Sequence, residues 1–420
     1  MRDTLVSGGG CAHACDSGVL VPVDEAIRHL LDQAPPPPAM QQVALGQALG
    51  RVLARDVICP MNLPAWDNSA MDGYALRAAD LPDGGGYLAL AGRIAAGDEP
   101  GMPLREGQAV RIFTGAPLPP GADTVVPQES CRVEEARVWL PSVRRGDHVR
   151  KEGEELRQGE RLFTAGSRLR AQELGLLAGA GIAHVQAYRP LRVGLLSSGD
   201  ELREPGEALA PGQIYNSNRH SLAALLRGWG VEVHDFGVMP DRLQASRQAL
   251  GLAAGECDLL LTSGGVSVGE EDHLKQAIEA LGNIDLWRLA IQPGKPLAFG
   301  DVMGKPWIGL PGNPSAALVT ALIVVRPFLF RAQGLAEVLP VPLQLPAGFD
   351  WQHRNRRRQY LRARLVPDAN GHLSVVLHPQ QGSAMLAAAC WADGLAVVER
   401  DALVHQHDRV MYLPFAALMH

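Results

Sequence analysis

The stretch LLLTSGGVSVGEEDHLKQAIEAL, residues 259–281, reads as a strand, a glycine turn and a helix. Leu259-Leu260-Leu261 is a short apolar run, Gly264 and Gly265 follow at once, and Lys275 to Leu281 has helical spacing. Between turn and helix stand Glu270, Glu271 and Asp272. Backbone amides bared at a strand end suit an anion. Three carboxylates beside them would repel a bare phosphate, but not a phosphate carrying its metal ion.

The same alternation extends on both sides. Apolar runs at Val193 to Leu196, Val231 to Val233 and Trp307 to Leu310 are separated by helical segments at Leu222 to Trp229, Leu243 to Ala254 and Ala316 to Val325. Strands alternating with helices predict βαβ units and a mostly parallel sheet, so residues 190–338 are expected to form a three-layer α/β domain with its ligand at the carboxyl ends of the strands.

The flanks have another texture. Residues 60–149 are broken by Pro and Gly around β-type runs at Ala109 to Phe113 and Val133 to Leu140. Helical segments are expected at Val23 to Leu31, Leu45 to Ala54 and Arg168 to Ala183, with Pro35 to Pro38 as a spacer. This predicts a β-rich domain at 60–149, inserted into a helical linker domain made of 21–59 and 150–189. Residues 339–420 are expected to be a C-terminal β-domain, with strands at Gln359 to Leu365, His372 to Leu377 and Leu395 to Glu399. Residues 1–20 read as a flexible, glycine-rich leader. The fold class is therefore α/β plus β-rich domains in a multidomain chain.

The charge of -6, from 39 basic and 45 acidic residues in 420, argues against a nucleic-acid binder driven by bulk electrostatics. Any anion site must be local. The apolar stretch Ala316 to Val325 is too short to cross a bilayer and reads as a buried helix. No basic segment leads into an apolar core at the N-terminus, so the cytoplasm, with no membrane partner, is the expectation. Six cysteines spread over this length do not make a disulfide framework. Cys11, His13 and Cys15 lack a fourth ligand and a rigid frame, and are given no part in the chemistry.

Three strand-end loops are built alike, from glycines and small polar residues. They are Ser197-Ser198-Gly199-Asp200-Glu201, Thr262 to Asp272 with Ser263, Gly264, Gly265, Ser267 and Gly269, and Pro311-Gly312-Asn313-Pro314-Ser315. Each alone is common punctuation between strand and helix. Together on one sheet edge they would form a pocket. Carboxylates at Asp200, Glu201, Glu270 and Asp272, with Lys295 in Gln292-Pro293-Gly294-Lys295-Pro296, suit metal-assisted phosphoryl or anhydride chemistry, although Glu271 reads as helix capping and Lys295 also as a solvated loop lysine. In the inserted domain, Asp67 to Ala75 and Phe113 to Pro117 read as functional loops, with Asn68 and Asp72 equally suited to form turns. Arg354 to Arg364 holds six arginines; it reads either as a solvated hairpin or as a face of Arg358, Tyr360 and Arg362 that grips an anion.

Asp67 to Ala75, Thr114-Gly115-Ala116-Pro117, Ser198-Gly199-Asp200-Glu201-Leu202, Ser263 to Gly269, Pro293-Gly294-Lys295-Pro296 and Leu310-Pro311-Gly312-Asn313-Pro314, taken in order, resemble the molybdopterin molybdenumtransferases. This is the MoeA family, related to the E domain of gephyrin and of its plant counterpart. The resemblance runs from about Val21 to the C-terminus. It implies a homodimer of four-domain subunits that hydrolyses adenylyl-molybdopterin, releases AMP and inserts molybdate into the dithiolene with Mg²⁺ assisting. Implied partners are a molybdopterin adenylyltransferase and recipient molybdoenzymes or chaperones. The matching functional positions are Asp72, Thr114, Glu201, Asp272 and Lys295, with Pro311 and Pro314 shaping a loop and Arg362 and Ser383 from the C-terminal domain. Glu201 and Asp272 would position metal and nucleophile, and Asp72 and Thr114 would serve a cleft between subunits. Three positions depart from the family: Asn216 stands where an aspartate is common, and Arg288 and Gln292 where lysines are. Arg288 keeps its charge, but Asn216 and Gln292 motivate an alternative, a molybdopterin carrier or scaffold with reduced catalysis. An adenylyltransferase is a third reading of the α/β domain alone.

Overall fold

Leucine-rich and β-branched runs bounded by turn residues pair readily as strands. In the computed structural model, which describes residues 20–265 and 273–419, they form β1 (Arg192–Ser198), β2 (Glu232–Met239), β3 (Leu259–Ser263), β4 (Gly282–Arg288), β5 (Pro296–Val302) and β6 (Lys305–Leu310). The order across the sheet is β2-β1-β3-β6-β5-β4. The first four of these are parallel, and β6, β5 and β4 run antiparallel to one another. The sheet is thus mostly parallel, with a meander at one edge.

Helices α1 (Ser217–Gly228), α2 (Leu243–Glu256) and α3 (His273–Leu281) connect the strands. Both faces are covered, as the period-two alternation of side chains requires. Val193 and Leu195, Leu259 and Leu261, and Ile308 and Leu310 enter one core cluster. Their neighbours Leu196, Leu260 and Trp307 enter the other. This is the three-layer α/β arrangement expected from the sequence.

The helix expected at Ala316 to Val325 is longer. It runs from Pro314 to Ala332 through a π-helical stretch, Ala321–Val325. The wide turn lies directly before Pro327, whose ring would otherwise meet the carbonyl of Ile323 in a regular α-helix. By length and composition this run suffices to cross a membrane, but 94% of its apolar window is buried within the protein, so it is a core helix.

The C-terminal segment builds a second six-stranded sheet, in the order Ile291–Gln292, Arg358–Pro367, Gly394–Val398, Arg409–Pro414 and Leu343–Pro346, with Leu373–Leu377 also against Arg358–Pro367. The two-residue strand Ile291–Gln292 comes from the α/β domain and pairs in parallel, Ile291 opposite Arg358 and Gln292 opposite Gln359. Trp229 strengthens the junction: it is 1% exposed, and its Nε1 donates to the Leu418 carbonyl at 2.8 Å.

Two compact units divide the chain. One comprises residues Gln42–Leu49 and Arg55–Ala187, and the other holds the described residues outside those spans. The smaller contains a six-stranded sheet whose strand Gly73–Leu76 sends Ala75 to one apolar cluster and Tyr74 and Leu76 to another. Its β-rich character is as expected.

Three local expectations are corrected. Leu45 to Ala54 is not a helix: a single 3₁₀ turn, Leu45–Gln47, is followed by Gly50 at φ +75°. That left-handed turn breaks the helical path. Val133 to Leu140 is not one strand but a hairpin of Arg132–Glu134 and Arg137–Leu140, with Glu135 in the left-handed region at φ 53°. Arg358, Tyr360 and Arg362 do not make an open anion-binding face. Arg358 is bound to Asp24 and Glu399, and Tyr360 and Arg362 are buried.

Trp229→Phe keeps an aromatic ring, removes the donor to Leu418 and leaves a gap where the larger indole was buried. The expected result is a lower melting temperature corresponding to about 1–3 kcal/mol, the cost of stranding a buried acceptor. An unchanged melting curve would remove this bond from the stability of the junction.

Candidate active site

Strands β1, β3 and β6 end side by side at Ser198, Ser263 and Leu310. The loops that leave them wall a cleft of about 1430 Å³. From the first loop come Ser198, Gly199 and Glu201, and from the second Ser263, Gly264 and Gly265. Pro311, Gly312, Asn313 and Pro314 come from the last loop. Lys295 enters from the turn before β5, and Ser383 from the C-terminal domain, where the Ala316 amide donates to the Ser383 carbonyl at 3.1 Å.

Close backbone approach explains the glycines at two points. Gly264 has φ +87°, and a Cβ there would stand 2.3 Å from the Ser198 carbonyl oxygen. Gly294 has φ +112°, and a Cβ would stand 2.2 Å from Thr320 Oγ1. Any side chain would push these loops apart and turn their amides.

The carboxylates separate into two kinds. Glu201 and Asp241 are exposed in the cleft, and neither side chain has a partner among the described residues. Asp200 does not line the cleft; its Oδ1 accepts from the Asp241 amide at 3.1 Å and so holds the neighbouring loop. Ser267, Gly269 and Asp272, with Glu270 and Glu271, lie outside the described residues, as do Cys11, His13 and Cys15.

Arg362 lies beneath the cleft wall. It is fully buried, its guanidinium donates to the Gly382 carbonyl at 3.1 Å, and burial pulls its pKa down to about 10. Its backbone amide and carbonyl are both bound by the Gln381 side chain, at 2.9 and 3.0 Å. It therefore supports the loop that carries Ser383. Arg288, the charged residue near Gln292, does not line the cleft, whereas Gln292 does.

Asp72 and Thr114 belong to the other compact unit. There Asp72 Oδ1 accepts from both the amide and the hydroxyl of Thr114, at 2.8 Å each. These two hydrogen bonds hold its carboxyl below the ordinary aspartate range.

Residue types alone missed several members of the site. Asn218 is buried, and its Nδ2 donates to Ser263 Oγ at 2.7 Å and to the Gly312 carbonyl at 2.8 Å, tying two of the loops together. Asn216, also buried, caps α1 by accepting from the Arg219 amide at 3.2 Å and donates to Ser197 Oγ at 3.0 Å. An amide serves that capping role as well as a carboxylate does. Asp241, Arg357 and Gln381 line the cleft from distant parts of the sequence. The run Ile214-Tyr215-Asn216-Ser217-Asn218-Arg219, two asparagines at a helix start, was the available signal for the first pair.

Three family profiles match the chain in order: "MoeA N-terminal region (domain I and II)" at residues 21–181, "Probable molybdopterin binding domain" at 194–331, and "MoeA C-terminal region (domain IV)" at 344–415. A molybdopterin molybdenumtransferase of Haemophilus influenzae is 37% identical over 385 residues, covering 91% of this chain and 95% of that protein. One from a Nostoc species is 40% identical, covering 70% of each. Among solved structures, a molybdopterin biosynthesis MoeA protein of Pyrococcus horikoshii is 30% identical, with a TM-score of 0.74 over 94% of this chain and 99% of that one.

Asn218→Ala would leave Ser263 and the Gly312 carbonyl without their shared donor. The expected cost is about 1–3 kcal/mol of stability, measured by urea denaturation. Wild-type stability would show that the loops hold together without it.

Proposed function

The chain belongs to the MoeA family of molybdopterin molybdenumtransferases, and on that premise we propose that it hydrolyses adenylyl-molybdopterin, releases AMP and transfers molybdate to the dithiolene. One observation carries this reading: a single cleft of about 1430 Å³ in which strand-end glycine loops, the free carboxylate of Glu201 and the cation of Lys295 converge. Its size suits a ligand larger than a typical small-molecule substrate. The Gly264 amide is taken up by the Leu310 carbonyl at 3.1 Å, but the amide of Gly265 and the hydroxyls of Ser198, Ser263 and Ser383 suit phosphate oxygens. Lys295 has no carboxylate partner among the described residues. It is therefore free to stabilise charge that develops on phosphate as the anhydride opens.

Glu201 acts on the water that attacks the anhydride, in the manner of a general base. The donors available also fit Mg²⁺. Glu201 and Asp241 are oxygen ligands, and no group of three or more His, Cys, Asp or Glu among the described residues is placed to hold a metal alone. A hard cation that completes its shell with water and substrate phosphate needs no more than one or two carboxylates. When bound, Mg²⁺ would supply charge neutralisation at the anhydride, held by Glu201 with Asp272. Asp72 and Thr114 are assigned to the same reaction. The chain works as a cytoplasmic homodimer that receives adenylate from the adenylyltransferase and passes its product to molybdoenzymes or their chaperones.

The test is AMP release from adenylyl-molybdopterin, with molybdenum followed in the pterin product. Molybdate-stimulated release by the wild type is expected, with a loss of about 10²–10³-fold in Lys295→Ala, the scale for removing one preorganised electrostatic contact. Chelation of divalent metal should slow release and added Mg²⁺ restore it. Tight pterin binding with no AMP would leave a carrier in place of an enzyme, and full turnover in Lys295→Ala would take that residue out of the mechanism.

A further inference from the structure

Four charged side chains line the cleft among the described residues: Glu201, Asp241, Lys295 and Arg357. Arg357 enters from the C-terminal domain, directly before the strand Arg358–Pro367. The next residue, Arg358, is neutralised: it binds Asp24 at 2.7 and 2.8 Å and Glu399 at 2.9 Å. Arg357 has no carboxylate partner among the described residues. One of two adjacent arginines thus serves the structure, and the other keeps its charge at the cleft.

A neutral set of amides holds Arg357. Asn355 Oδ1 accepts from the Arg357 backbone amide at 3.0 Å and from its Nε at 3.3 Å. Asn355 Nδ2 donates in turn to Gln292 Oε1. That oxygen also accepts from Gln359 Nε2 at 3.3 Å, and Gln359 Oε1 accepts from Trp351 Nε1 at 2.9 Å. Each of these contacts runs from an N–H donor to an amide oxygen, which gives the set one direction, and no member carries a charge that would cancel the guanidinium. The Nε contact leaves the two terminal NH₂ groups of Arg357 for a ligand, a geometry suited to bidentate binding of a tetrahedral oxyanion.

We propose that Arg357 is a second cationic anchor in the cleft, binding a tetrahedral oxyanion, and that Gln292 and Asn355 are positioning residues that aim its guanidinium. The assignment rests on the function proposed above for the choice of oxyanion, which is either the substrate's phosphate or molybdate itself. Position 292 then requires an acceptor. A lysine there would add charge to the cleft, yet it would strand the Asn355 and Gln359 amide donors and repel Arg357. Simple electrostatics predicts tighter anion binding for Gln292→Lys; the positioning role predicts weaker binding.

Equilibrium binding of AMP and of molybdate to the full chain, each alone, tests this beside the KM of each substrate in the AMP-release assay. Arg357→Ala should weaken one oxyanion by about 10–100-fold, the scale of a charged hydrogen-bonded contact, with kcat changed less than KM. The oxyanion affected identifies the one bound. Arg357→Lys should recover part of the loss. Asn355→Ala and Gln292→Lys should each weaken binding several-fold in the wild type and have no further effect in the Arg357→Ala background. Unchanged binding of both oxyanions in Arg357→Ala, tighter binding in Gln292→Lys, or a wild type that binds neither oxyanion would overturn the assignment. A wild type that binds an oxyanion but releases no AMP would overturn the proposed function alone, and the binding series would still decide the role of Arg357.

Discussion

Two residues of parallel pairing, Ile291–Gln292 against Arg358–Gln359, hold the architecture of the cleft together. This short ladder fastens the C-terminal sheet to the segment that leads from β4 to β5. Because Lys295 lies three residues beyond Gln292, and Arg357 one residue before the paired strand, the same register sets the positions of both cations. A slip of one residue would turn Gln292 and Gln359 to the opposite faces and dismantle the amide set. The Ala316 to Ser383 hydrogen bond and the buried Trp229 brace the same junction from other directions.

The cleft's charge balance answers the question raised by the carboxylates beside the glycine turn. Two anionic and two cationic side chains line it among the described residues, beside amide-bearing loops. A site that bound phosphate alone would have no use for Glu201 and Asp241, and one that bound metal alone would have none for Lys295 and Arg357. The mixture suits a phosphate ester and a hard cation in one place. The chain's overall negative charge is no obstacle, because the cations act at short range within a walled space.

Asn216 and Gln292 show how departures from a family pattern fit their surroundings. Asn216 caps a helix and bonds a serine, and Gln292 accepts two amide donors. Neither is an isolated loss of charge. The Asn216 amide is matched at both its oxygen and its nitrogen, and the Gln292 oxygen is matched by two donors, which is what a tolerated substitution requires of the atoms it buries.

Local signals in the chain were enough for the parallel core and for the loops that wall the cleft. Apolar runs of strand length, glycine turns and helical periodicities can each be read within a few residues, and the rule that ligands lie at carboxyl strand ends turns them into a site. Ser198, Glu201, Gly264, Lys295 and Pro311 were legible in this way. Long-range contacts settled what remained. β4 and β5 contain Asn283, Asp285 and Gly300, residue types that strands disfavour, and they pair because neighbouring strands satisfy their backbone. Arg357 and Arg358 are indistinguishable as sequence, and what separates them is that Asp24, 334 residues away in the chain, reaches Arg358 and not its neighbour. Asn218 is one polar residue among several at a helix start, and its two hydrogen bonds to distant loops make it a tie between them. Partners distant in the chain leave no periodicity for a sequence to reveal, so the roles of these residues follow from folding alone.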